Sequence, residues 1–172
     1  IMYSSPTDVG RLDVKGIAVA RGDTSNFTRE LQLSVIHACC TNPSDCWRAV
    51  KSLVLTAIKE IKARDKAEFV KSVKLGASYK NPSGQVSVCV AKRMVDRGQE
   101  EPLPGERVSY LIAKPESKKR KRISDRADHP DHVSLTQLDY AYYVESQIIK
   151  PLRRFLDILC KDWKLEILYL NS

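Results

Sequence analysis

Long apolar runs are missing from this sequence, and none approaches the ~20 residues that span a bilayer. The N-terminus also lacks the basic, apolar and small-residue succession of a secretory signal. Membrane insertion and export are thereby set aside, and a soluble, intracellular chain is expected. Cysteine is present but unordered: Cys39, Cys40, Cys46, Cys89 and Cys160 make an odd count without regular spacing, so no secreted disulfide framework is implied. In "HACCTNPSDC", His37, Cys39, Cys40 and Cys46 stand close together, but adjacent cysteines do not match the usual C-x₂₋₄-C zinc pair. Idle thiols are expected, with no metal site and no cofactor in this chain. A conventional start is missing too; Ile1 suggests a sequence that begins inside a longer protein.

Acidic residues are the other shortage. Twenty-nine Lys and Arg stand against 21 Asp and Glu, a net charge of +8. Such an excess favours a polyanionic partner, nucleic acid first and an acidic membrane surface second. The hydrophobic content of 42% is ordinary and leaves a normal core to be built.

Periodicity predicts where that core comes from. "MYSSPTDVGRLDVKGIAVARGD" reads as loop and short strand. From Asn26, a candidate cap, Phe27, Leu31 and Val35 recur at helical spacing. A second helix is expected after Pro43 with Ser44 as cap, lining Trp47, Val50, Val54, Ile58 and Ile61 on one face. "AEFVKSVKLGASY" reads as a strand. "GQVSVCVAKRMVDRG" reads as a helix stopped at Gly98, and "ERVSYLIA" as a strand. "KPESKKRKRISDRADHPDH" reads as a charged loop, and a basic loop is expected over 114–137. The result is an α+β fold, mostly helical.

The last helix begins at "DYAYYVESQIIKPLRRFLDIL", capped by Asp139. A uniform wheel puts Val144, Ile148, Leu152, Phe155 and Leu159 on one side. Tyr143, Ser146, Lys150, Arg153 and Arg154 then fall on the other. Pro151 is expected to kink it. Glu145 falls within the apolar arc and is expected to hold a cation from another segment.

Four segments, in order, resemble family B DNA polymerases. The last helix is similar to D-x-x-YY-x-ENQI-x-KPL-x-R through Asp139, Tyr142, Tyr143, Glu145, Gln147, Ile148, Lys150, Pro151 and Leu152, with Ser146 in place of Asn. "GERVSYLI" resembles G-[DE]-R-V-x-Y-[VL]-I through Gly105, Glu106, Arg107, Val108 and Tyr110. "VCVAKRMVDRG" is similar to V-x-V-A-x-RM-x-x-RG through Val88, Ala91, Arg93, Met94, Arg97 and Gly98. "DVKGIAVARGD" resembles K-G-[IV]-x-x-V-R-R-D through Lys15, Gly16, Ile17, Arg21 and Asp23, with Ala20 and Gly22 departing. Tyr3 fits a K-K-x-Y motif at the palm's edge, whereas Ile1 stands where a lysine is expected.

The resemblance implies a thumb domain over 13–172, preceded by the end of a palm over 1–12. The family's palm holds Mg²⁺ with carboxylates in D-x-x-S-L-Y-P and Y-x-D-T-D, neither of which occurs here. It thus implies the non-catalytic part of a nucleotidyltransferase: no catalytic residue in this chain, and Mg²⁺ in the parent palm. The absence of a C-x-x-C pair near the end suggests a viral source, acting in the host nucleus or at a cytoplasmic viral replication site. Expected partners are primer–template duplex, the remaining palm, fingers and exonuclease, and a processivity factor; no membrane partner is expected. The expected duplex contacts are Lys15, Arg21, Arg107, Tyr142, Tyr143, Lys150 and Arg153. "KKRKR" (Lys118, Lys119, Arg120, Lys121, Arg122) keeps three readings: solvated loop, extra DNA contact, or nuclear-import patch. A non-catalytic nucleic-acid-binding or adaptor domain of the same architecture is the alternative.

Overall fold

A computed structural model describes residues 3–6, 12–15, 21, 23–115 and 122–169, with side chains from Arg21 onward. They fall into two compact units, Ile1–Arg64 with Tyr143–Ser172, and Asp65–Tyr142. The first unit is mainly helical; the second holds a three-stranded sheet.

In the first unit, β1 (Tyr3–Pro6) pairs antiparallel with β2 (Leu12–Lys15), with Tyr3 opposite Lys15. Helix α1 (Asn26–Thr41) is capped by Ser25, one residue before the expected Asn26; its Oγ accepts from the Thr28 amide at 3.4 Å. Phe27, Leu31, Val35 and Ile36 bury one face, as i, i+4 spacing requires. After a 3₁₀ turn at Pro43–Asp45, α2 (Cys46–Lys59) buries Val50, Val54 and Ala57 against it. Ser44 does not cap this helix: it lies inside the 3₁₀ turn, and Asp45 takes the N-cap position. A third helical stretch follows Tyr143. Val144–Ile149 is π-helical, α6 (Lys150–Leu159) is α-helical, and Leu165–Tyr169 is π-helical again.

Several polar groups are paired in this core, although Gln32 Oε1 is buried without a hydrogen-bond partner. Thr28 Oγ1 donates to Gln147 Oε1 at 3.1 Å, and Gln32 Nε2 donates to the Pro151 carbonyl at 3.2 Å. Glu166 accepts from Lys51 Nζ at 2.9 Å, Trp47 Nε1 at 3.2 Å and Cys160 Sγ at 3.4 Å. The Lys51 ammonium first, then the Cys160 thiol and the Trp47 indole, hold the Glu166 carboxyl below its ordinary range.

In the second unit, β3 (Lys71–Lys74) pairs antiparallel with β4 (Arg107–Ile112), which pairs antiparallel with β5 (Ala127–Asp128). Helix α3 (Val86–Asp96) ends at Gly98, whose φ of 78° is the left-handed geometry that glycine takes without a Cβ penalty. Ile123–Arg126 forms a short helix, α4, leading into β5, and a single turn, α5 (Tyr140–Tyr143), follows later in the chain. Ala127 and Val133 are buried, so part of the stretch expected as a basic loop over 114–137 helps build the core. Its charges misled the sequence reading because the guanidinium of Arg126 is itself taken inward, where it pairs with Asp139.

Candidate nucleic-acid interface

Several of the described cations of the second unit are engaged by its own backbone and carboxylates. Arg93, on α3, donates to the carbonyls of Ala127, Ser124 (3.1 Å) and Asp125 (3.1 Å). Arg126 donates to the Ala113 carbonyl at 3.3 Å besides pairing with Asp139. Lys114 Nζ reaches the Thr136 carbonyl at 3.0 Å, and Lys66 Nζ the Pro130 carbonyl at 2.8 Å. Arg97 makes a two-pronged pair with Asp128, both bonds 2.6 Å. Burial would raise the Asp128 carboxyl; the Arg97 bonds and the His129 amide outweigh it and hold the group below the usual carboxylate range. A polar cavity of about 140 Å³ lies among Arg93, Lys114, Arg126 and His132, but its arginines already serve these protein acceptors.

The helix after Tyr143 differs. An α-helix returns nearly to its starting angle after seven residues, which would place Tyr143 beside Lys150 on the outer face. The π-helical stretch closes i→i+5 bonds, including the Lys150 amide to the Glu145 carbonyl, and so turns less per residue. The two ends of the segment therefore do not share one wheel. Tyr143 is fully buried, which corrects its placement among the outward contacts. Glu145 is also turned out of the apolar arc. Its carboxylate is exposed and lies 4.0 Å from Lys150 Nζ, five residues on, rather than holding a cation from elsewhere. Pro151 lies in the first turn of α6, where its missing N–H is least costly, and the local departure from α geometry is the π stretch before it.

Beyond that stretch α6 has a buried and an exposed side. Leu152 and Leu156 are fully buried, as is Ile148 just before them, and Phe155 and Leu159 are half-buried, while Ile158 is 76% exposed. Lys150, Arg153, Arg154 and Lys161 are exposed, with Arg153 Nε 3.7 Å from Asp157. Arg154 is exposed beside Arg153, on the outer side where the helical wheel puts both, although only Arg153 is among the expected duplex contacts.

The remaining expected contacts scatter. Lys15 occupies the end of β2, and its side chain lies outside the described residues. Arg21 is exposed, and its carbonyl accepts from Arg29 at 3.4 Å. Arg107 is exposed at the start of β4, with its guanidinium bonded to the Ser72 hydroxyl at 3.0 Å and to the Ser72 carbonyl. Tyr142 is half-buried, and its amide is capped by Asp139 at 3.0 Å, as expected of that aspartate. Lys118, Lys119, Arg120 and Lys121 lie outside the described residues; Arg122 is exposed. None of the five cysteines is in a disulfide, and no group of three or more His, Cys, Asp or Glu among the described residues is placed to hold a metal ion.

Comparison with known proteins gives these faces a context. A DNA polymerase of Methanocaldococcus jannaschii is 28% identical over 160 residues, covering 90% of this chain and 9% of that protein. A DNA polymerase of Paramecium bursaria Chlorella virus NY2A is 28% identical over 172 residues, covering 97% of this chain and 18% of that protein. The solved structure of the family B DNA polymerase from the hyperthermophilic archaeon Pyrobaculum calidifontis shares the fold, with a TM-score of 0.69 at 22% identity. That match covers 98% of this chain and 20% of the other. The chain thus spans less than a fifth of the length of these two curated relatives. The family described as DNA polymerase family B matches residues 1–159, nearly the whole sequence, and the chain belongs to that family.

Proposed function

We propose that this chain is the thumb portion of a DNA-directed DNA polymerase and holds primer–template duplex through its backbone. The observation that carries this reading is the division of α6: Leu152 and Leu156 fully buried, Lys150, Arg153 and Arg154 exposed. A polymerase must hold every sequence it copies, so its grip rests on phosphates and sugars rather than on base edges. Exposed lysine and arginine on a rigid helix supply such a grip by counterion release. The family membership supplies the duplex as the polyanion.

In this proposal catalysis belongs to the rest of the polymerase, inside the cell. Two-metal phosphoryl transfer needs carboxylates that hold the ions and align the attack. The described residues of this chain gather no such cluster, so no step through magnesium is assigned to them. The purified chain is expected to incorporate no nucleotide in primer extension with magnesium or manganese; extension absent from a mock preparation would overturn that part.

Duplex titration by fluorescence anisotropy over a salt series tests the grip. The expected result is weak binding, indifferent to sequence, with log affinity falling by about 0.9 per neutralised phosphate for each unit of log salt. A flat salt dependence, or one duplex bound a hundredfold better than its scramble, would refute it.

A further inference from the structure

The second unit holds a polar cavity of about 140 Å³ whose acceptors are already bonded while several of its donors are not. Both of its carboxylates are committed. Asp128 accepts from Arg97 at 2.6 Å and from the His129 amide at 2.8 Å, and Asp125 Oδ2 accepts from the Arg122 amide at 3.1 Å. The carbonyls of Ala113 and Ala127 accept from Arg126 and Arg93. Gln137 Oε1 accepts from the Ser134 amide at 2.9 Å and the Ser134 hydroxyl at 3.0 Å, which leaves Nε2, the donor end of the carboxamide, over.

The donors are less well provided for. Arg126 bonds Ala113 and Asp139 through Nη1, and its Nε is buried with no hydrogen-bond partner. A buried charged donor in that state is costly, and native folds rarely leave one without a water or a ligand to meet it. Lys114 Nζ gives one of its three N–H groups to the Thr136 carbonyl. The His132 ring, 6.3 Å from that of His129, keeps an N–H in either protonation state. Three permanent cations, Arg93, Lys114 and Arg126, thus line the cavity beside two carboxylates that already have their donors. Water brings donors as well as acceptors to such a place; an oxyanion brings acceptors alone, and with charge. The volume lies below the ~300 Å³ at which sites for larger ligands begin, so the fitting occupant is one small oxyanion rather than a nucleotide.

We propose that this cavity is an oxyanion site for one inorganic phosphate, met by the unused donors of Arg126, Lys114 and Gln137. The arginines need not leave their carbonyls for this, because the anion comes to groups that the fold has not engaged. A phosphodiester of duplex DNA carries a sugar on two of its oxygens and is too large for the cavity, so the occupant is free phosphate. The site shares no residue with the outer face of α6. Phosphate bound there joins the end of β4 at Lys114, helix α4 at Arg126 and the 3₁₀ turn Leu135–Gln137, and so stabilises the unit that holds it.

The test is a calorimetric titration of the purified chain with inorganic phosphate, at an ionic strength held constant with chloride. The expected result is saturable binding of one phosphate per chain, competition by sulfate, and a rise in melting temperature that chloride alone does not give. Lys114 and Gln137 are exposed, so Lys114→Met and Gln137→Leu are expected to fold, which circular dichroism checks. Each should weaken phosphate about tenfold or more, as the loss of a hydrogen bond to a charged group does. Should one of them fail to fold, the other decides. Lys150→Glu with Arg153→Glu should leave phosphate affinity unchanged, and a saturating short duplex with 5′-hydroxyl ends should not displace the ion. No saturation at tens of millimolar phosphate, wild-type affinity in either folded cavity variant, or an equal weakening in the α6 variant overturns the proposal. Displacement by the duplex overturns it too, because the cavity cations would then meet the DNA backbone instead.

Discussion

The two units use the same residue types for opposite purposes. In Asp65–Tyr142 three arginines are held within the unit, while Arg107 and Arg122 stay exposed: Arg93 gathers three backbone carbonyls, Arg126 pairs with Asp139, and Arg97 clasps Asp128. In the other unit the core is aliphatic and aromatic, built from Phe27, Val35, Val50, Ile148, Leu152 and Leu156, and the cations of α6 stand in solvent. The lesson concerns the net charge of +8, which looks like one electrostatic footprint and is not. A guanidinium that satisfies buried carbonyls cannot be withdrawn to meet a phosphate without leaving those acceptors bare. The charge available to a polyanion is the part that folding does not consume.

The largest test of this contrast lies in the aliphatic core. Leu152 is fully buried, so Leu152→Ala removes packed methyl groups and leaves a cavity. The expected cost is about 2–5 kcal/mol, read from denaturant midpoints. A cost below about 1 kcal/mol would mean that α6 is not anchored by this face.

Next is the polar knot of the second unit. Arg93→Met keeps the aliphatic stem and removes the donors to Ala127, Ser124 and Asp125. Stranded carbonyls should cost about 2–4 kcal/mol. Duplex affinity, measured where the variant is still folded, should fall only by the share that one unit of net charge explains. A collapse of binding without loss of stability would move Arg93 from scaffold to interface and break the comparison.

A smaller effect is expected at Arg97 and Asp128, a pair that is partly exposed. The folded Asp128 carboxyl titrates below its ordinary range, so its contribution is present above the unfolded value near 3.9. It is lost as pH falls through the folded value. Arg97→Met should therefore lower stability at pH 7 by about 1 kcal/mol or less, since solvent screens such pairs. The gap from the wild type should close below about pH 4. A gap that persists unchanged into acid would show that the pair contributes packing rather than charge.

How much of this was legible in the sequence follows the same division. The apolar faces of α1 and α2, the Gly98 stop, the strands at Lys71–Lys74 and Arg107–Ile112 and the Asp139 cap all follow from local periodicity and turn chemistry. Two things did not. A wheel of fixed pitch cannot foresee a π-helical stretch, so it gives Tyr143 and Glu145 each other's surroundings. Nor does composition reveal which arginine finds a carbonyl, because those partners lie some 31–34 residues away in the chain, as Arg93 and Ala127 show. Gln147 and Gln32 are hidden for the same reason: their buried bonds to Thr28 and Pro151 join segments 119 residues apart.

The smallest effect on stability should accompany the most informative effect on binding. Lys150 and Arg153 are exposed, and their partners Glu145 and Asp157 lie at 4.0 and 3.7 Å across solvent. Such pairs contribute little to folding, so Lys150→Glu with Arg153→Glu should shift stability by less than about 1 kcal/mol. If the outer face of α6 meets the duplex, the same pair of substitutions leaves two phosphates without their cations and plants two repelling charges. Affinity should then fall steeply, and the log–log salt slope should become shallower by about 0.9 for each phosphate no longer neutralised. The control is Lys59→Glu with Lys62→Glu, which changes the net charge equally at exposed positions, one at the end of α2 and one just beyond it. Comparing the two double variants separates position from charge. A general attraction between a basic protein and DNA depends on the net charge and predicts equal losses. A docked helix predicts that the α6 variant loses far more affinity and that only its salt slope changes by whole phosphates. Equal losses and equal slopes would reduce Lys150, Arg153 and Arg154 to solvated charges, and the outer face of α6 would then have no part in the grip.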